Sequence, residues 1–137
     1  MPTTKVLALS GSLRAKSSNK GLLRYAQANA PEGMQIEIAD LSDVPFYNTD
    51  ITEQPAAVKT LLAQFATADA FLFAGPEYNY SISPALKNAI DWASRAPDNA
   101  LLGGKAAAVM GSGGGMGTSR APISFTPSLC LYRHPSY

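Results

Sequence analysis

Three stretches of this sequence gather residue types that hold ligands. The first, Ser10 to Asn19, reads S-G-S-L-R-A-K-S-S-N and stands immediately before a helical pattern. Ser12, Leu13, Arg14, Ser17, Ser18 and Asn19 form a set suited to capturing an anion. Backbone N–H groups at a helix start favour a phosphate, hydroxyls donate further bonds, and Arg14 can add a forked, charge-assisted contact. The helix dipole supplies only about 0.3–1 kcal/mol, so hydrogen bonds must supply most of the affinity. The same residues would also make an ordinary solvated turn with Asn19 as the helix cap. A Walker A loop is excluded, because no second Gly-Lys-Ser/Thr follows at the required distance.

The second stretch, Pro76-Glu77-Tyr78-Asn79-Tyr80-Ser81, sets two tyrosines beside small polar residues directly after an apolar run. Its aromatics can pack against a flat ligand, and its backbone amides from Glu77 to Ser81 can bond the ligand's polar edge. Alternatively, Tyr78 and Tyr80 are surface or interface aromatics. The third stretch, Gly111 to Gly117, lets backbone approach a planar group without side-chain obstruction, with Gly113 and Gly114 at its centre, or it is a flexible turn. No register here gives the dinucleotide pattern G-x-G-x-x-G. Trp92 and Asp91 read as structural. His134 has no partner at metal spacing, and Cys130 has no companion His in a recognisable motif, so neither a metal site nor a catalytic triad can be drawn. With no side-chain nucleophile in view, an enzyme built this way needs a cofactor for the hard chemistry.

These stretches must be positioned by regular elements. Val6 to Leu9 is a short apolar run expected to form a buried, central strand. A helix follows from Asn19 as cap, carrying Leu22, Leu23, Ala26 and Ala30, and Pro31 and Gly33 stop it. Residues 34–39 alternate as a strand with one wetter face. A helix over 54–68 carries Val58, Leu61, Leu62 and Phe65 on one face, and the run over 70–75 is a second buried strand. Pro84 suits the first turn of a helix that turns Leu86, Ala89, Ile90 and Ala93 inward, and residues 105–110 form a fourth strand. The order βαβαβαβ predicts a doubly wound parallel sheet, covered on both faces, whose ligand lies beyond the carboxyl ends of its strands. All three stretches sit there.

Composition narrows the function classes. The 137 residues are 46% hydrophobic and 15% charged, with eleven Lys and Arg against ten Asp and Glu. One small domain with a real core is expected. A net charge of +1 gives no electrostatic reason for nucleic acid, and no run approaches the roughly 18 apolar residues of a membrane span. A single cysteine fits a reducing compartment, hence the cytoplasm.

Leu9-Ser10-Gly11-Ser12-Leu13-Arg14 with Ser17 and Asn19, then Pro76 to Ser81, then Leu86-Lys87-Asn88-Ala89-Ile90-Asp91-Trp92 closely resemble the NADPH-dependent FMN reductase family, which includes quinone and chromate reductases. The resemblance implies a flavodoxin-like fold with FMN at the switch point of the sheet. Carried over by position, Ser12, Arg14, Ser17 and Asn19 hold the FMN phosphate, Pro76 to Tyr80 run along the isoalloxazine edge, and Gly113 with its neighbours lines the other side. Family members pass hydride from NAD(P)H by way of flavin N5 to quinones, azo dyes, metal oxyanions or free flavin, and are commonly homodimers or homotetramers. The competing readings are a flavodoxin-like electron carrier and a truncated product without activity. A near-neutral charge argues against the carrier, which usually has a strongly acidic surface.

The resemblance runs from about Lys5 to Ala121, the extent expected of the FMN-binding domain (residues 1–121). Residues 122–137 depart from it. One extra C in the Pro122 codon would explain the departure, since the shifted frame permits Q-Y-H-L-R-Q, the family's usual continuation. The expectation is an out-of-frame tail, a sheet of order 2-1-3-4 without the family's fifth strand and last helix, and a fourth strand left as an exposed edge.

Overall fold

The computed structural model describes residues 2–97 and 100–123. Seven elements alternate: β1 (Thr4–Ser10), α1 (Ser18–Ala28), β2 (Met34–Ile38), α2 (Ala56–Thr67), β3 (Ala70–Ala74), α3 (Pro84–Ala93) and β4 (Ala106–Met110). All strand pairs are parallel and the order is β2-β1-β3-β4. The expected α/β class, the strand order and every expected element are present, with ends within two residues of expectation. β1 is central because Val6 to Ser10 are buried on both faces, pairing Ala8 with Ile38 on one side and Leu72 on the other.

The two faces are packed unequally. Leu7, Leu9, Phe71 and Phe73 point into a core with Leu61 and Phe65 of α2 and Leu86, Ala89 and Ile90 of α3. The rings of Phe65, Phe71 and Phe73 pack in series at centroid distances of 5.2 and 6.0 Å. Val6, Ala8 and Ile36 face the other way, against Leu23 of α1. α1 serves that face alone among the described elements, so Ala70 and Leu72 are only half-buried. Covering on both faces therefore holds for β1 and fades toward β4, where Ala106 to Val109 are exposed. Its first three residues, Ala106 to Ala108, offer little apolar surface there.

Trp92 is buried, as expected for a structural residue. Its indole N–H donates to the Pro45 carbonyl at 2.8 Å, and Asn88 Nδ2 donates to the same oxygen at 2.9 Å. Asp91 is half-buried and pairs with Lys87 one turn earlier. α3 pins the loop after β2 in this way. Burial pushes the Lys105 ammonium below its usual pKa, against the opposing field of Asp69, and its Nζ donates to Phe65 O at the end of α2. Both groups lie at the amino-terminal end of the sheet, away from the three stretches.

Candidate functional site

The sheet delivers the three stretches to one rim, where short bonds join them. β1 ends by donating Gly11 N–H to Ala74 O at 2.8 Å, and β3 ends by donating Gly75 N–H to Met110 O at 3.0 Å. The loop after β1 is ordered by its own hydroxyls. Ser12 N–H donates to Ser10 Oγ, Ser10 Oγ donates to Ser12 O, and Arg14 N–H donates to Ser12 Oγ, each at 3.3 Å. Leu13, Arg14 and Lys16 are exposed, while Ser12 and Ser17 are buried.

The helix cap differs from expectation. Ser17, not Asn19, caps α1: its extended backbone precedes Ser18, and its Oγ accepts from Lys20 N at 3.3 Å. Asn19 lies in the first turn, 3% exposed, and engages both atoms of its side-chain amide with the third stretch. Its Nδ2 donates to Ser112 O at 3.1 Å, and its Oδ1 accepts from Ser112 N at 2.9 Å. Asn19 is thus a tie between two loops. Ser17→Ala is expected to lower stability by about 1 kcal/mol, the usual cost of a lost cap, measured as a shift in urea midpoint at constant slope.

The second stretch is a closed turn. Tyr78 and Ser81 exchange both backbone bonds at 3.0 Å, and Asn79 (φ 49°) and Tyr80 (φ 66°) both adopt the left-handed conformation between them. Two amides expected to face a ligand, those of Tyr78 and Ser81, are therefore closed on each other. Left-handed backbone at two successive residues is the signature of a type I′ turn, and a tyrosine there is strained by comparison with glycine. Tyr80 is two-thirds exposed. The side chain of Glu77 does not face out: its Oε2 accepts from Arg120 N at 2.8 Å and from Ala121 N at 3.3 Å.

The third stretch folds back on itself, with Gly117 N–H donating to Gly114 O at 2.8 Å. A Cβ at Gly113 would stand 2.9 Å from Gly117 O, so that glycine serves the turn, whereas a Cβ at Gly114 would meet nothing within 4 Å. Residues 121–123 are helical. The rest of the segment expected to be out of frame, with Cys130 and His134, lies outside the described residues.

A match to the family model for NADPH-dependent FMN reductases spans residues 4–134. The chain belongs to the NADPH-dependent FMN reductase family. An NAD(P)H-dependent FMN reductase of Pseudomonas aeruginosa is 50% identical over 134 residues, covering 96% of this chain and 72% of that protein. An NAD(P)H:quinone oxidoreductase of Solanum tuberosum is 48% identical over 126 residues, covering 88% of this chain and 64% of that protein. Among solved structures, the flavoenzyme NAD(P)H:(acceptor) oxidoreductase FerB of Paracoccus denitrificans superposes with a TM-score of 0.88 at 32% identity, covering 98% of this chain and 76% of that one. The family, the oxidoreductase class, FMN as cofactor and NAD(P)H as donor thus stand as the motifs implied.

The residues present fit FMN on their own chemistry. Ser12 and Ser17 each use their oxygen as an acceptor inside the loop. A hydroxyl so engaged keeps its proton for an outside acceptor such as a phosphate oxygen. Ser18 and Asn19, at the first helical positions, have no intrahelical acceptor for their N–H groups. Arg14 stands exposed beside them.

Proposed function

We propose that the protein binds FMN at this rim and catalyses NAD(P)H-dependent reduction of quinones or similar acceptors, among them free FMN, azo dyes and metal oxyanions. The observation that supports the reading is the joining of three loops: a serine-rich turn with Arg14, an aromatic turn and a glycine turn meet at the carboxyl ends of β1, β3 and β4. When bound, FMN would supply the redox relay between NAD(P)H, a hydride donor, and the acceptor, which no side chain of this chain supplies.

The chain's own part is binding and orientation. The Ser12 and Ser17 hydroxyls, the N–H groups of Leu13 and Ser18, and the Arg14 guanidinium hold the phosphate. Pro76 to Tyr80 border the ring through backbone, and Gly113 and Gly114 leave room on the opposite side. Asn19 and Glu77, whose side chains are spent on Ser112 and Arg120, set the loops' spacing. Holding a planar ring in one place between two loops converts a bimolecular encounter into a positioned one. The exposed apolar side chains of Leu13, Phe46 and Met116 suit a homodimer or homotetramer, which sedimentation velocity would resolve. The cysteine-poor, near-neutral composition suits the cytoplasm.

The purified full chain is expected to be yellow, to release FMN on acid treatment, and to oxidise NADPH steadily only when a quinone is supplied. Bound FMN without NAD(P)H oxidation would identify an electron carrier instead. A colourless chain that takes up no FMN would reject the reading.

A further inference from the structure

The glycine loop is fastened at both ends to different neighbours. At its start, Ser112 is held by Asn19 from the anion-binding loop. At its far end, Arg120 and Ala121 are held by Glu77 from the aromatic loop. Between these two fastenings the loop carries four glycines and Met116, and Thr118 packs back against Gly111 and Gly113, so the loop is braced on itself. Near the strand ends its distance from the aromatic loop is set by the Gly75 N–H to Met110 O bond; at its far end the fastening to Glu77 sets it.

That fastening has three parts. Glu77 Oε2 accepts two backbone N–H groups at the start of the helical residues that follow, where a carboxylate is favoured by the unsatisfied donors. Glu77 Oε1 pairs with Arg120 Nη1 at 3.5 Å, and the Glu77 side chain is only 14% exposed. The Arg120 guanidinium lies 4.4 Å from the centroid of the Tyr80 ring. One carboxylate thus holds the end of the glycine loop, and one guanidinium holds the tyrosine at the left-handed turn.

We propose that Glu77 and Arg120 are paired positioning residues: together they fix the width of the slot between the aromatic and glycine loops, and so set how tightly a planar ring is gripped there. The inference rests on the FMN reading and assigns neither residue a contact with the ring. Because the phosphate-binding loop is fastened separately through Asn19, the pair governs ring affinity and leaves phosphate affinity alone. The signal is not legible from sequence spacing, since the partners stand 43 positions apart.

The test uses the full chain stripped of flavin and titrated with FMN and, separately, with riboflavin, which has the ring without the phosphate. Glu77→Gln keeps an acceptor for the two N–H groups and loses the charge. It is expected to weaken both ligands by the same factor, about fivefold, as suits a partly exposed ion pair. Arg120→Met is expected to do the same. Glu77→Gln with Arg120→Met is expected to be no weaker than either alone, because the two act as one device. Thermal melts of the flavin-free variants separate loss of folding from loss of grip; if Glu77→Gln melts early, Arg120→Met carries the comparison. Equal affinity of wild type and variants, losses that add in the double variant, or a loss confined to FMN would overturn the proposal. A wild-type chain that binds neither flavin would instead reject the FMN reading itself, and the proposal with it.

Discussion

Gly11→Ala is expected to destabilise the protein by about 2–3 kcal/mol, the upper part of the range for forcing extra atoms into a packed interior, and to abolish FMN uptake. Gly11 stands where β1 passes into the loop proposed to hold the phosphate, with its N–H bonded to Ala74 O. A Cβ there would stand 2.9 Å from Pro76 Cδ and 3.0 Å from Leu86 Cδ1, and would collide with Ser83 Oγ. None of these can retreat cheaply. Pro76 opens the aromatic loop, Leu86 is a fully buried core residue, and Ser83 is the buried cap of α3 whose Oγ accepts from Leu86 N. Relief must come from moving the β1 end outward, and that carries Ser12 and Arg14 with it. Urea denaturation would show the midpoint shift, and FMN titration would show the loss of binding. Gly21 is the control: it lies inside α1 with nothing within 4 Å of its virtual Cβ, so Gly21→Ala should stabilise by about 0.5–1 kcal/mol through helix propensity alone. A variant at Gly11 that folded and bound FMN normally would show that the three loops need not meet so closely.

Periodicity made the elements readable because each helix has one apolar face and the central strands are apolar throughout. Val58, Leu61 and Phe65 repeat at helical spacing and are all buried, and Val6 to Leu9 fill the middle of the sheet. β4 shows the limit of that rule. Its run of Ala, Val and Met reads like β3, yet β4 has one strand neighbour among the described residues and stays exposed, because burial depends on what covers a strand as well as on its own composition. The cap of α1 failed for a different reason. Ser17-Ser18-Asn19 offers three good capping residues in succession, and local preference cannot rank them. What decides is a contact 93 positions away: Asn19 reaches Ser112, which leaves Ser17 to cap. The aromatic turn is equally hidden, since Asn79 and Tyr80 take left-handed backbone without a glycine to announce it. The meeting of the three stretches at one rim was legible because it follows from topology. The ties that shape it were not, because each joins residues from different loops.

Asn19→Ala is expected to cost about 2–3 kcal/mol, and the companion Asn19→Asp separates the tie from the phosphate site. Truncation strips both Ser112 backbone groups of their partner, and each unpaired group costs about 1–3 kcal/mol where water cannot replace the bond. Ser112 is half-buried, so water recovers part of that cost and the total stays below twice the single-group figure. Asn19→Asp keeps an acceptor for Ser112 N but sets a carboxylate oxygen against Ser112 O, where Nδ2 had donated at 3.1 Å. It also places a negative charge in the first turn of α1. That charge is favourable to the helix, so the aspartate variant should be more stable than the alanine variant. The same charge repels an incoming phosphate. The alanine variant should therefore weaken FMN and riboflavin alike by loosening the glycine loop, whereas the aspartate variant should weaken FMN well beyond riboflavin. Denaturation curves with paired flavin titrations read both quantities. If the aspartate variant bound FMN and riboflavin with equal loss, the phosphate would have to lie elsewhere than at the start of α1, and Ser12, Arg14 and Ser17 would lose their assigned roles.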